Sequence, residues 1–259
     1  MRVIRSRDNA LFKQFASLVH SSRQRHKQGL TVLDGVHLVE AYGASRGAPH
    51  ALLASESGLT HPEVSRLLAG GLMPQPVVLS DALFAECAAV QSPQGIAAII
   101  AIPAPAPPAG PLGPCLMLED IQDPGNLGTL LRSAAAAGMP RAFLSPGCAL
   151  AWAPRVLRAS MGAHFQIELY EGANLPDLAQ RYEGRVLGAT LHGARPYFEA
   201  DLRGAVALVI GNEGAGISAD LLARVHERIH IPMAPGVESL NAAVAGSVLM
   251  FERMRQSSR

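Results

Sequence analysis

The chain predicts an α/β protein in two parts, a small α/β unit followed by a larger, mostly parallel sheet covered by helices. Three observations predict it. A tract holding six prolines in twelve residues, 103–114, divides the sequence. Beyond it, short apolar runs alternate with helix-like segments at the spacing of βα units. The 259 residues, 49% apolar and 17% charged, can bury two modest cores and are too apolar for a disordered chain.

In the first part, 1–102, a helix is expected over 10–20, a strand over 31–33 and a helix over 37–43. Apolar runs follow near 51–54 and 77–79, and a strand over 95–102 closes the unit. It holds no evident catalytic constellation. The tract 103–114 can continue neither a helix nor a central strand, because proline fixes φ and lacks the N–H. It reads as an extended, semi-rigid linker.

In the second part, 115–259, strands are expected at 115–118, 142–144, 165–169, 186–189, 205–210 and 229–231. Helices are expected at 127–137, 154–161, 175–180, 218–225 and 239–253. Such alternation favours a parallel sheet covered on both faces, with ligands beyond the carboxyl ends of its strands.

Composition narrows the function. Cys87, Cys115 and Cys148 are few and widely spaced, so neither a disulfide framework nor a metal site is expected, and a reducing cytoplasm fits. The start of the chain carries no secretory signal, and prolines break the longest uncharged stretch, so no membrane helix is expected. The net charge of +1 conceals an asymmetry. Residues 1–30 hold Arg2, Arg5, Arg7, Lys13, Arg23, Arg25 and Lys27 against Asp8 alone, a local net of +6. Clustered charge of this kind is a phosphate-backbone footprint, with a merely solvated helix as the bland alternative.

Three segments of the second part place polar residues or glycines directly after a strand. In the first, Asp123-Pro-Gly-Asn126 makes a turn, Asn126 reads as a helix N-cap, and Arg132 is the only charge on the small-residue helix that follows. In the second, an apolar strand ending at Ile210 runs into Gly211-Asn-Glu213-Gly-Ala-Gly216. These glycines let a ligand approach the backbone, but the loop has neither Rossmann nor P-loop spacing, and Glu213 would repel a phosphate. A cation or a hydroxyl suits it better. The third segment is Ile231-Pro-Met233, then Glu238-Ser239-Leu240-Asn241, in which Ser239 reads as the N-cap of a last helix.

These segments, in this order and with Arg158-Ala-Ser160-Met-Gly162-Ala163 between the first two, resemble the SpoU/TrmH family (SPOUT superfamily) of RNA ribose 2′-O-methyltransferases. The first part is similar to that family's ribosomal-protein-like substrate-binding domain through Ile4–Asn9, Asp34–Glu40 and Pro93–Ile96. The resemblance implies a C-terminal trefoil knot, S-adenosylmethionine as methyl donor, a homodimer and a structured RNA substrate. An rRNA is expected. A tRNA enzyme or a catalytically silent RNA-binding homologue is the alternative, and a NAD-type Rossmann enzyme is disfavoured by the glycine spacing.

Carried over residue by residue, the resemblance assigns Asn126, Arg132, Glu213, Ser239 and Asn241 to the reaction centre. Thr190, Leu191, Ile210, Gly211, Ile231, Met233, Ser239 and Leu240 would contact the cofactor, and Arg2, Arg5, Arg7 and Lys13 the RNA. A guanidinium stays protonated in proteins. Arg132 therefore reads as an electrostatic stabiliser of the developing alkoxide, with proton acceptance as the other role. His164 and His192 read as loop or pocket-wall residues rather than bases.

Overall fold

The computed structural model describes residues 3–88, 93–106, 108, 110–191 and 195–258. The first stretch contains β1 (Val3–Ile4), α1 (Ala10–His20), α2 (Ser22–Gln28), β2 (Leu30–Asp34), α3 (Val36–Arg46), β3 (Ala51–Ser55), α4 (Pro62–Ala69), β4 (Val77–Leu79), α5 (Asp81–Cys87) and β5 (Ile96–Ala101). After the prolines come β6 (Cys115–Leu118), α6 (Pro124–Ala136), β7 (Arg141–Leu144), α7 (Pro154–Ser160), β8 (Glu168–Tyr170), α8 (Leu175–Arg181) and β9 (Arg185–Ala189). The chain ends with β10 (Arg195–Pro196), β11 (Val206–Ile210), α9 (Ala219–Leu222), β12 (Glu227–His230) and α10 (Ala242–Ser257).

Two compact units result: Met1–Pro103 with Trp152–Phe165, and Ala104–Ala151 with Gln166–Arg259. The proline tract alone would leave Trp152–Phe165 in the second unit. Its contacts place it in the first, because α7 buries Val156, Leu157 and Ser160 and packs against β2. The Thr31 hydroxyl donates to the Trp152 carbonyl at 2.6 Å. His164 is buried there too, with Nδ1 2.6 Å from the Ser160 hydroxyl and its ring edge-on to Trp152. It is a core histidine, not the loop or pocket-wall residue expected.

The first unit's sheet runs β1-β4-β3-β5-β2, with β5 antiparallel to both neighbours and β2 at the edge. Asn9 caps α1 by accepting from the Leu11 and Phe12 amides, as expected of an asparagine before an apolar-periodic run. Phe12, Phe15 and Leu18 of that helix then bury against Val32, Leu53, Leu79 and Ile99. Helix α2 escapes a periodicity search because its sequence, SRQRHKQ, has no apolar stripe.

The second unit's sheet runs β10-β12-β9-β11-β6-β7-β8, every pairing parallel. Its central strands β6 and β11 are buried along their whole length, as expected of apolar runs covered on both faces. Helices α6 and α10 pack together closely enough that a Cβ at Gly246 would overlap Leu130. Ser133 and Ser247 share a 2.7 Å hydrogen bond across the contact. The expected strand 165–169 is β8 instead, because Ala163–Phe165 turns into a short 3-10 helix in the first unit. Among the described residues no helix is long and apolar enough to cross a membrane.

Candidate active site

Strand β6 delivers the chain into α6, and the helix start decides what Asn126 can do. Asp123 is the N-cap: its Oδ1 accepts from the Asn126 amide at 2.7 Å, and Pro124 occupies the first helical position, which needs no donor. Asn126 therefore lies inside the first turn and is not the cap expected, which frees its side chain. Its Nδ2 donates to Glu213 Oε1 at 2.9 Å, and its Oδ1 accepts from Asn241 Nδ2 at 2.9 Å. The amide orientation is fixed by Glu213, since an ionised carboxylate can only accept.

Asn241 also replaces an expected cap. It, and not Ser239, starts α10, its Oδ1 accepting from the Ala243 and Val244 amides. A chain Asn241–Asn126–Glu213 thus ties together the starts of α10 and α6 and the loop after β11. Ser239 is exposed and lies beside this chain on the wall of the cavity described below.

The glycine loop holds its own shape. The Asn212 amide donates to the Gly216 carbonyl at 3.0 Å and the Gly216 amide returns a bond at 2.9 Å. Asn212 Oδ1 accepts from the Gly214 and Ala215 amides, and its Nδ2 donates to the Asp120 carbonyl at 2.8 Å. Gly211 must be glycine because a Cβ would overlap the Gly216 carbonyl group. Asp120 has φ of 54°, and the Ser145 hydroxyl donates to its Oδ1 and accepts from its amide. Asn212, Asp120 and Ser145 escaped the sequence reading. The available signal was an asparagine two residues before a glycine, the composition of an Asx turn.

Beyond the carboxyl ends of β9, β11 and β12 opens a cavity of about 320 Å³. All eight expected cofactor contacts line it: Thr190, Leu191, Ile210, Gly211, Ile231, Met233, Ser239 and Leu240. Glu213 joins them, and Leu249 adds apolar wall. Apolar surface, exposed loop backbone and one carboxylate suit a ligand that joins apolar and polar parts and carries positive charge. They do not suit a polyphosphate.

Arg132 stands apart. It is exposed, has no hydrogen bond or ion pair among the described residues, and lies outside both the asparagine chain and the cavity wall. Six residues separate it from Asn126, about 9 Å along the helix axis. The expected RNA contacts are also altered by the fold. Arg5 pairs with Glu56 at 2.5 Å, Arg7 with Glu86 at 2.6 Å and Lys13 with Asp8 at 2.8 Å, so their charge is locally compensated. Arg2 and His192 lie outside the described residues. Burial pushes the Cys115 thiol up to about 12 and the Cys87 thiol up to about 11, and raises that of Cys148.

Residues 113–251 match the SpoU rRNA methylase family, and residues 9–98 match an MRM3-like substrate binding domain. The chain belongs to the SpoU rRNA methylase family. Its relatives include an uncharacterized tRNA/rRNA methyltransferase of Synechocystis, 35% identical over 98% of this chain and 93% of that protein. The 23S rRNA (guanosine(2553)-2′-O)-methyltransferase RlmP of Bacillus subtilis is 33% identical over 97% of this chain and 98% of its own. Among solved structures, the SpoU methyltransferase AviRb from Streptomyces viridochromogenes, in complex with AdoMet, superposes with a TM-score of 0.84. It is 25% identical, with 96% of this chain and 98% of that one covered. The chain is an S-adenosylmethionine-dependent RNA 2′-O-methyltransferase with the expected SPOUT-type α/β fold.

Proposed function

We propose that this enzyme methylates a ribose 2′-hydroxyl of a structured ribosomal RNA, with unit one engaging the RNA and unit two transferring the methyl group. The observation that carries the reading is the Asn241–Asn126–Glu213 chain at the cavity lined by the expected cofactor contacts. The choice of rRNA is supported by RlmP, whose name specifies 23S rRNA and whose whole length this chain matches.

The cavity fits S-adenosylmethionine: Ile210, Ile231, Met233 and Leu249 offer apolar surface, and the loop with Gly211 offers backbone donors and acceptors. When bound, that molecule supplies an electrophilic methyl for the 2′-oxygen. The protein's own part is positioning and electrostatics. Asn126 and Asn241 hold Glu213 at the rim, where its carboxylate can accept a hydrogen bond from a ribose hydroxyl. Ser239 offers a hydroxyl from the same wall. Arg132, with no carboxylate partner among the described residues, holds a phosphate near the reacting ribose and stabilises developing negative charge. Orientation of this kind contributes on the order of 7–11 kcal/mol to lowering the barrier of a two-substrate reaction.

The proposal includes a homodimer. Helix α10 leaves Val244, Phe251 and Met254 48%, 47% and 42% exposed, and they recur at helical spacing on one stripe. A second copy is the occupant that fits, since a two-fold contact covers the same stripe on both chains. The three free thiols agree with a cytoplasmic setting.

Purified enzyme given labelled S-adenosylmethionine with deproteinised rRNA or with bulk tRNA tests the substrate. Label entering rRNA at least tenfold faster is expected; preferential labelling of tRNA overturns the rRNA choice.

A further inference from the structure

Among the described residues, six exposed cations of the first unit, Arg23, Lys27, Arg46, Arg66, Arg155 and Arg158, have no carboxylate partner of the kind that compensates Arg5, Arg7 and Lys13, and four of them are set apart by their surroundings. Arg23 and Lys27 stand on α2 and Arg155 and Arg158 on α7. All four are exposed and without a hydrogen bond or ion pair among the described residues. No Asp or Glu occurs in the surrounding sequence, 21–33 and 145–167. Arg25, also on α2, differs: it is buried and donates to the Leu18 and Val19 carbonyls at the end of α1. Arg46 and Arg66 are exposed as well, but their helices carry Glu40 and Glu63.

The four stand on two helices that contact the same strand. Helices α2 and α7 both pack against β2, an edge strand. Val32 of β2 points into the core built by α1, whereas Thr31, one residue before, bonds the Trp152 carbonyl. Successive strand side chains face opposite ways, so α7 covers the face opposite α1. The two pairs of cations therefore stand on helices that neighbour the same strand.

We propose that the surface formed by Arg23, Lys27, Arg155 and Arg158 is the one that grips the phosphate backbone of the RNA substrate. The proposal rests on the RNA-methylating reading above and assigns its docking surface. Charge complementarity selects the occupant, because an unpaired cation binds phosphate without first giving up a carboxylate, whereas Arg7 must release Glu86. Trp152, the aromatic residue nearest α7 in sequence, is buried and is not part of this surface. Backbone contacts of this type position an RNA without reading its sequence. The segment carrying Arg155 and Arg158 lies within the methylase match yet packs in the substrate-binding unit, so both family segments supply the grip.

The test is binding of the full-length chain to deproteinised rRNA over about 50–200 mM salt, the range in which counterion release is read. Each lost phosphate contact lowers the slope of log affinity against log salt by about 0.7–0.9. The variant R23Q/K27Q/R155Q/R158Q should lose about 3 units of slope and at least tenfold in affinity. Its S-adenosylmethionine affinity by calorimetry and its thermal midpoint should stay those of the parent. R5Q/R7Q/K13Q should lose less than 1 unit of slope. Hydrogen exchange on the parent should show RNA-dependent protection at 21–29 and 154–160. An unchanged slope in the fourfold variant, with a parent that binds and methylates rRNA, overturns the surface alone. A parent that neither binds nor methylates RNA overturns the RNA reading and the surface with it.

Discussion

Asn126 spends both ends of its amide on partners from distant parts of the chain, Glu213 and Asn241. Asn126→Ala removes both bonds while leaving the Asp123 cap of α6 in place. A hydrogen bond to a charged group is worth about 1.5–3 kcal/mol. Methyl transfer should fall about 10- to 100-fold with S-adenosylmethionine affinity changed less than threefold; equal losses in both would place Asn126 in the cofactor site. Gly211 gives the opposite pattern. Gly211→Ala forces the loop away from Gly216, so calorimetry should show cofactor affinity lost before turnover is considered, and the melting temperature should drop. The site residues were legible as types because Asn, Glu and Gly beside strand ends have few other uses. Their roles as caps were read wrongly. Asp123 with Pro124, and Asn241 ahead of two small residues, start the helices in place of Asn126 and Ser239, and local preference cannot rank such near-equal neighbours.

At the scale of elements, strands buried on both faces announce themselves as unbroken apolar runs, which is why β6 and β11 were found nearly to the residue. Short polar helices such as α2 carry no period to detect, and the two-residue strands β1 and β10 exist only through their partners. The exposed stripe of α10 carries the dimer prediction. Val244→Asp with Phe251→Asp should convert a dimer to a monomer in light scattering, and a parent already monomeric at micromolar concentration would contradict it. The buried thiols make a further prediction. Cys115 lies on β6 with its thiol pushed up to about 12, and Cys87 ends α5 at about 11. Both stay protonated and shielded at pH 8, so mass spectrometry should find them unalkylated in the native protein and alkylated after denaturation. Because folding raises both above the ordinary thiol range, their contribution to stability is complete below that range and is lost progressively as pH rises from it to the folded values, about 11 for Cys87 and about 12 for Cys115.

For the molecule as a whole, the proline tract correctly signals a break in regular structure, but it does not mark the full boundary between units. Helix α7 follows the tract in sequence and packs in the first unit, because periodicity tells which face of a helix is buried and not which sheet buries it. The threading of the C-terminal segment is still less visible: a knot depends on the order in which segments pass one another, to which composition is blind. Charge shows the same limit. The N-terminal excess of positive residues is real in the sequence, yet folding brings Glu56 and Glu86 to Arg5 and Arg7 from more than fifty positions away. The chemistry of the product decides the function. RNA methylated by the purified enzyme should be digested to nucleosides and separated by mass spectrometry, with Arg132→Ala run alongside. A single 2′-O-methyl nucleoside is expected, from a site whose phosphodiester resists alkaline hydrolysis in the intact RNA, and it should be reduced at least 100-fold in the variant. Methyl on a base, or undiminished ribose methylation by Arg132→Ala, would contradict it.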